Sequence, residues 1–288
     1  MTDMNQPLEK VNSWVKNSVT LKLMTITILM LLLLIPASMI ESIISERERL
    51  NNETIHEVSS KWAGSQQLLG PILTIPVEYE YVNEDKLVAY TKFYHILPEE
   101  LNISGQIDPN KLKRGIYEVV VYESSLQFSG NYKLSAKIDQ KHLKSIGYDK
   151  AFLTIGVSDL RGIKNQVVVN WDKQKLNVEP GSRINTMVQS SITADLPTLN
   201  PENENFIFDF TLNLQGSQNM SFVPVGSTTN VDVKSTWSTP SFNGNFLPDS
   251  RELSKDGFTA VWKVLQLNRN FPQSCEGNLQ DQSLPPAG

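Results

Sequence analysis

Residues 23–40 read LMTITILMLLLLIPASMI, eighteen positions without a charged side chain. As an α-helix this run rises about 27 Å, close to the hydrocarbon thickness of a bilayer. Residues 29–35 are apolar on every face, so no side of such a helix suits water. A buried core helix is a poor alternative for a segment that opens a chain. A cleaved signal peptide is a better one, but its apolar core is shorter and ends at a small-x-small site. Here Pro36-Ala37-Ser38 is followed by Met39 and Ile40 before Glu41. The run therefore predicts a retained transmembrane helix over residues 23–44, kinked in its outer third where Pro36 removes a backbone donor.

The flanks suggest a direction. Lys10, Lys16 and Lys22 precede the run, and Arg47 and Arg49 follow it among Glu41, Glu46 and Glu48. The basic excess is small, and it places the short N-terminal tail inside and the bulk of the chain outside. Beyond the run, Leu50, Ile55, Val58 and Trp62 continue an intermittent stripe near helical spacing. We expect a helical stalk over residues 45–64 that bends near Asn51-Asn52, docks on the outer domain and stops at Gly64.

About 220 residues remain, enough for a large domain with its own core. One cysteine, Cys275, excludes an internal disulfide, and it falls in a polar stretch where a nucleophilic role is not expected. The net charge of −5, with scattered Lys and Arg, points away from nucleic acid.

From residue 68 the apolar period becomes two. In residues 206–214, Phe206, Phe208, Phe210, Leu212 and Leu214 share one face while Ile207, Asp209, Thr211 and Asn213 share the other. A helix would scatter those five apolar residues. Pro71-Ile72-Leu73-Thr74-Ile75-Pro76-Val77 reads as a short strand suited to a sheet edge. Further strands are expected at 79–81, 87–95, 116–122, 126–138, 152–157, 166–171, 176–178, 220–223, 229–237 and 258–267. Ser129-Gly130-Asn131 is a break or turn signal, and residues 141–147 suggest a short helix. About a dozen strands without long intervening helices predict a mainly β, antiparallel architecture of packed sheets, sandwich-like in form.

Chemical motifs are scarce. His56, His95 and His142 are far apart in sequence, and none belongs to a short metal motif. No nucleophile elbow, phosphate loop or dinucleotide fingerprint occurs. We expect no cofactor and no metal. Three Asn-x-Ser/Thr sequons, at Asn52, Asn102 and Asn219, are expected to be unused. The segment around Ser235-Thr236-Trp237-Ser238-Thr239-Pro240-Ser241-Phe242-Asn243-Gly244-Asn245-Phe246-Leu247-Pro248 follows neither period. Trp237, Pro240, Phe242, Phe246 and Pro248 mark it as a candidate partner-binding loop. The alternative is a loop whose aromatics plug one end of the core.

Several strings resemble a known family. They include Leu31-Leu32-Leu33-Leu34-Ile35-Pro36, Leu69-Gly70-Pro71, Leu97-Pro98-Glu99, Arg114-Gly115-Ile116-Tyr117, Asp159-Leu160-Arg161-Gly162-Ile163, Pro224-Val225-Gly226 and Gly257-Phe258-Thr259-Ala260-Val261-Trp262. Their identities and order resemble the CreD family, the cell envelope integrity inner membrane proteins of bacteria. Thr239 departs from the pattern, which often has His there.

The resemblance implies a bacterial inner membrane protein with its β domain in the periplasm. It implies roles in envelope integrity and colicin tolerance, with control by a two-component system and no established enzymatic activity. Its implied partners are the lipid bilayer and other envelope proteins or peptidoglycan. The expected layout is a cytoplasmic tail (1–22), a transmembrane helix (23–44), a helical stalk (45–64), a periplasmic β domain (65–272) and a polar, Pro-rich tail (273–288). Family members carry further transmembrane helices after this domain. Their lack here suggests a shortened form, with a sheet edge left unpaired and open to self-association. A periplasmic enzyme acting on cell-wall or lipid-linked glycan through a carboxylate pair is the alternative function.

Overall fold

The computed structural model describes residues 19–84, 86–134, 138–184, 190–203 and 205–277. The chain divides into two compact units, Met1–Ile55 and His56–Gly288.

In the first unit, nearly every side chain of the helix α1 (Val19–Trp62) is exposed, including the whole apolar run. That is the pattern of a helix whose solvent is lipid. Its hydroxyl groups are satisfied within the helix. Thr25 donates to the Leu21 carbonyl at 2.8 Å and Thr27 to that of Leu23 at 2.9 Å. Ser38 donates to the Ile35 carbonyl at 2.9 Å. Such internal bonds are what a bilayer interior requires. Pro36 lies inside the helix, and Asn51 and Asn52 do not interrupt it.

The second unit holds two packed sheets, with sixteen strands among the described residues. The first sheet runs β16 (Ser274–Glu276), β2 (Lys86–Ile96), β1 (Gln66–Asn83), β6 (Phe152–Val157), β10 (Ser191–Asp195) and β9 (Glu179–Pro180). Two short strands, β5 (Leu143–Ile146) and β12 (Met220–Val223), also pair with β1. The second sheet runs β14 (Ser250–Ser254), β15 (Gly257–Leu265), β13 (Thr228–Ser235), β3 (Glu100–Arg114), β4 (Tyr117–Lys133), β11 (Asn205–Ser217), β7 (Val168–Trp171) and β8 (Gln174–Asn177). Pairing is antiparallel except for β1 with β12 and β3 with β13.

One hydrophobic cluster joins the sheets. From the first come Leu73, Ile75, Val77 and Tyr94, and from the second Phe128, Tyr132, Phe208 and Phe210. Phe128 and Phe210 stack at 4.8 Å, while Trp171 stacks on Phe206 at 5.5 Å. The alternation in residues 206–214 is met, because all five expected inward residues are buried. Tyr132, fully buried, donates its hydroxyl across the core to the Pro71 carbonyl at 2.6 Å.

Four local expectations are corrected. Pro71 and Pro76 lie in the central strand, not at an edge. Pro76 is tolerated because its missing donor would point between β5, which ends opposite Val77, and β6, which starts opposite Thr74. On that side the Pro76 carbonyl accepts from Gly147 N at 2.8 Å. Gly130 neither breaks nor turns β4. A Cβ there would lie 2.0 Å from the Glu100 carbonyl, so the glycine allows two strands to approach. Residues 143–146 form a strand rather than a helix, because β1 offers them an open ladder at Val77, Glu78 and Tyr79. Residues 100–114 were not expected as a strand, yet β3 spans them all. Their polar alternate residues and Pro109 hide a period of two that the neighbouring strands β4 and β13 enforce.

Candidate functional site

The loop of residues 236–249 connects β13 to β14 and folds against β15. Register places Trp262, Ala260 and Phe258 opposite Val231, Val233 and Ser235, on the core side of the second sheet. Phe242 packs edge-on against Phe258 at 5.5 Å and Trp262 at 5.6 Å. The Trp262 indole N–H donates to the Phe246 carbonyl at 3.2 Å. Phe242 thus packs its ring on β15, and Phe246 ties the loop to β15 through its backbone carbonyl. Trp237 is half-buried, and its indole N–H donates to the Thr239 carbonyl at 2.9 Å. Thr239 thus supplies its backbone oxygen. The Lys111 ammonium lies 5.5 Å from the Trp237 ring centre. Pro240 and Pro248 are half-buried, whereas Leu247 is 66% exposed. A shallow hollow beside the loop is lined by Ser238, Leu253, Ser254 and Lys255. The five residues singled out in the sequence lie on this one loop, and all five are half-buried.

A second constellation was not legible as a site in the sequence. It holds the C-terminal end of α1, whose last carbonyls have no partner within the helix. Arg161 donates to the Ser60 carbonyl at 2.6 Å, and Ser217 donates to that of Ala63 at 2.8 Å. Gln215 donates to the Trp62 carbonyl, and Ser217 N donates to Gly64 O at 3.1 Å. Asp159 is the hub. It accepts from Gly64 N at 3.0 Å and from the Arg161 guanidinium at 2.7 and 2.9 Å. The Arg161 hydrogen bonds, with help from the backbone N–H groups of Gly64 and Arg161, hold the Asp159 carboxyl down at about 2. Gln66, buried, donates to the carbonyls of Asp159 and Gln215 at 3.0 and 3.1 Å. Gly162 completes the seat, since a Cβ there would lie 2.3 Å from the Gln66 amide and 2.4 Å from the Gln215 carbonyl. The sequence signal was present as Asp159-Leu160-Arg161-Gly162, an Asp positioned to accept from the N–H two residues on. What it holds lies almost a hundred residues earlier, and no local pattern reveals that.

The histidines do not meet. His56 and His142 are on separate elements, and His95 is buried on the outer face of the first sheet. Its Nδ1 lies 3.0 Å from the Thr74 hydroxyl. Burial pulls its pKa down to about 4. Cys275 pairs directly with His95 across β16 and β2, so it belongs to the sheet. It is a free thiol whose pKa burial raises to about 11, which disfavours the nucleophilic thiolate. Among the described residues, no three His, Cys, Asp or Glu side chains converge as metal ligands do.

A family model described as Inner membrane protein CreD matches residues 18–286. This chain belongs to the CreD family. The inner membrane protein CreD of Escherichia coli (strain K12) is 33% identical over 237 residues, 81% of this chain and 52% of that relative. The chain thus spans about half the length of the curated relative it matches. Two crystal structures of mutant M1 zinc metallopeptidases show only a weak likeness. One, a two-domain enzyme bound to L-arginine, covers 61% of this chain and 40% of its own at 12% identity and a TM-score of 0.27. The other, from Deinococcus radiodurans with a Tyr-Ser-Ala substrate, covers 58% and 38% at 11% identity and a TM-score of 0.26. Likeness at that level says nothing about this chain.

Two strings that carry the CreD resemblance now have places in the fold. Asp159-Leu160-Arg161-Gly162-Ile163 seats the helix end, and Gly257-Phe258-Thr259-Ala260-Val261-Trp262 is the strand on which the 236–249 loop rests. Among the described residues, one helix, near the N-terminus, is long and apolar enough to cross a membrane, and a large extramembrane β domain follows it.

Proposed function

We propose that this protein is a non-enzymatic inner membrane component of the bacterial envelope that supports envelope integrity through contacts made by its β domain. CreD family membership over residues 18–286 is the observation that carries this reading. The N-terminus lies in the cytoplasm and the β domain in the periplasm, in keeping with Lys10, Lys16 and Lys22 ahead of the helix. The expected segments are kept as the working layout: tail, span, stalk, β domain and polar C-terminal stretch.

The 236–249 loop is the proposed contact surface. Phe242 and Phe246 fix its shape, and Trp237, Pro240, Pro248 and the exposed Leu247 face the partner. An aromatic held by a hydrogen bond and a neighbouring cation presents area at low entropic cost. The partner is another envelope protein or peptidoglycan. Proximity crosslinking in intact cells tests this, with a photoreactive group beside Trp237 in the full chain. Capture of an envelope component above a control carrying α1 alone, weakened in Trp237→Ala, is the expected result. Capture equal to the control would remove the partner-binding reading.

A further inference from the structure

The hairpin of β1 and β2 carries a row of aromatic rings that runs from the core out to solvent. Register sets Tyr79 opposite Tyr90, Val77 opposite Lys92 and Tyr81 opposite Val88, so Tyr79, Tyr81, Tyr90 and Lys92 share one face. Tyr79 and Tyr90 stack at 5.4 Å, and Tyr81 meets Tyr90 edge-on at 5.9 Å. His142, with φ +63°, brings its ring to 6.1 Å from Tyr81. Tyr79 is buried, whereas Tyr81 and Tyr90 are each 37% exposed and His142 is exposed. The exposed aliphatic residues of this hairpin, Val82 and Leu87, lie opposite each other on its other face.

Two polar atoms beside this row are left open. The Tyr79 hydroxyl and the Glu276 Oε1 are both shut off from water, and neither has a hydrogen-bond partner among the described residues. Burial, and then the adjacent Glu276 carboxylate, push the Tyr79 pKa far up, so the phenol keeps its proton and remains a donor. An unpaired donor and an unpaired acceptor in a dry site are costly, and packing alone gives no reason to keep them. Lys92 reaches over the same place. Its ammonium lies 5.4 Å from the Tyr79 ring centre, 5.8 Å from that of Tyr90 and 3.7 Å from the Glu276 Oε2. The Lys92 side chain is 46% exposed, so its long stem can move aside.

We propose that this face binds one sugar ring of a glycan, its C–H groups on the open rings of Tyr81 and Tyr90 and its hydroxyls on Tyr79, Glu276 and Lys92. The ligand class follows from what is left open. A hydroxyl accepts from one neighbour while it donates to another, so one sugar O–H takes the Tyr79 proton and gives its own to Glu276 Oε1. Lys92 and Glu276 oppose each other in charge, which suits a neutral polyhydroxyl ligand better than a phosphate or an ammonium. The negative face of a tyrosine ring attracts the C–H groups of a pyranose. A bilayer or a protein partner would call on the aliphatic side chains, and those lie on the other face. The hairpin turn is charged as well, with Glu84 and Lys86 exposed. This site uses no residue of the 236–249 loop, so either proposal can fail alone.

The test is binding of chitotetraose and of cellotetraose, β-1,4-linked glycans with and without acetamido groups. The full chain is used, in a detergent without sugar headgroups. Saturable binding of at least one of them by calorimetry, with a Kd of about 1 mM or tighter, is expected. Tyr90→Ala and Glu276→Gln should each weaken it about tenfold. Val82→Ala, on the other face, should leave it unchanged. Tyr79→Phe separates a ligand role from a packing role, because it removes only the open hydroxyl. Binding should fall about tenfold while the thermal midpoint holds or rises. No saturable binding of either glycan, or wild-type affinity in both Tyr90→Ala and Tyr79→Phe, overturns the proposal. A lowered midpoint in Tyr79→Phe also overturns it, since the hydroxyl would then be structural. Tyr90-dependent crosslinking to a protein in intact cells, with no glycan bound, would replace the sugar by a protein partner.

Discussion

At the residue scale, burial decides what the ionisable groups do. His95 is 1% exposed, and desolvation holds its pKa near 4, below the ordinary 6.5. The folded state therefore resists a proton that the unfolded chain accepts. Stability from this group is full above about pH 6.5 and is lost as pH falls toward 4. We expect the thermal midpoint in detergent to drop across that window, and His95→Leu to flatten the drop. Asp159 acts in a lower window. Its folded value of about 2 lies below the ordinary 3.8, so its contribution is present above pH 3.8 and fades as pH approaches 2. Cys275 is 6% exposed with its pKa raised to about 11. Maleimide should label it slowly at pH 8 in the folded protein and rapidly in denaturant. Fast labelling of the folded chain would show that β16 is not docked on β2.

At the scale of elements, the end of α1 is held by a distant turn and one strand terminus. The carbonyls of Ser60, Trp62, Ala63 and Gly64 are each received by Arg161, Gln215 or Ser217. Arg161→Ala removes a donor and leaves Asp159 without its ion pair. The expected result is faster hydrogen exchange over residues 58–66 with the rest of the β domain unchanged. Gly162→Ala acts by crowding, and the expected cost is about 1–3 kcal/mol because the Gln215 carbonyl it meets is backbone. A wild-type exchange pattern in both variants would show that the helix end is held some other way.

At the scale of the whole molecule, the two sheets depend on a shared aromatic core. Phe128→Ala should cost about 3–5 kcal/mol, because Phe128 is buried against Phe210 and its loss leaves a cavity. Tyr132→Phe keeps the ring but removes the only donor given to the Pro71 carbonyl among the described contacts. About 1–3 kcal/mol is expected, measured by denaturant unfolding of the same preparation. Trp237→Ala should leave the midpoint within about 1 kcal/mol while reducing partner capture, which separates a contact role from a packing role.

The apolar run and the alternation in residues 206–214 were decided by the sequence alone. Each is a local pattern long enough to have one physical solution: a helix that lipid can surround, and a strand with one apolar face. Partner strands settled the rest. β3 has polar alternate residues and a proline, so only its place between β4 and β13 makes it a strand. Pro76 looked like an edge marker, and only the gap between β5 and β6 shows why a central strand accepts it. The candidate loop was visible because its aromatics broke both periods. What the loop packs on was not visible, because Phe242 meets Phe258 and Trp262 on the next strand but one. The seat of α1 needed contacts between residues far apart in sequence, such as Arg161 with Ser60 and Ser217 with Ala63. Local pattern sets the period of an element, while non-local hydrogen bonds and close backbone approach decide what that element touches.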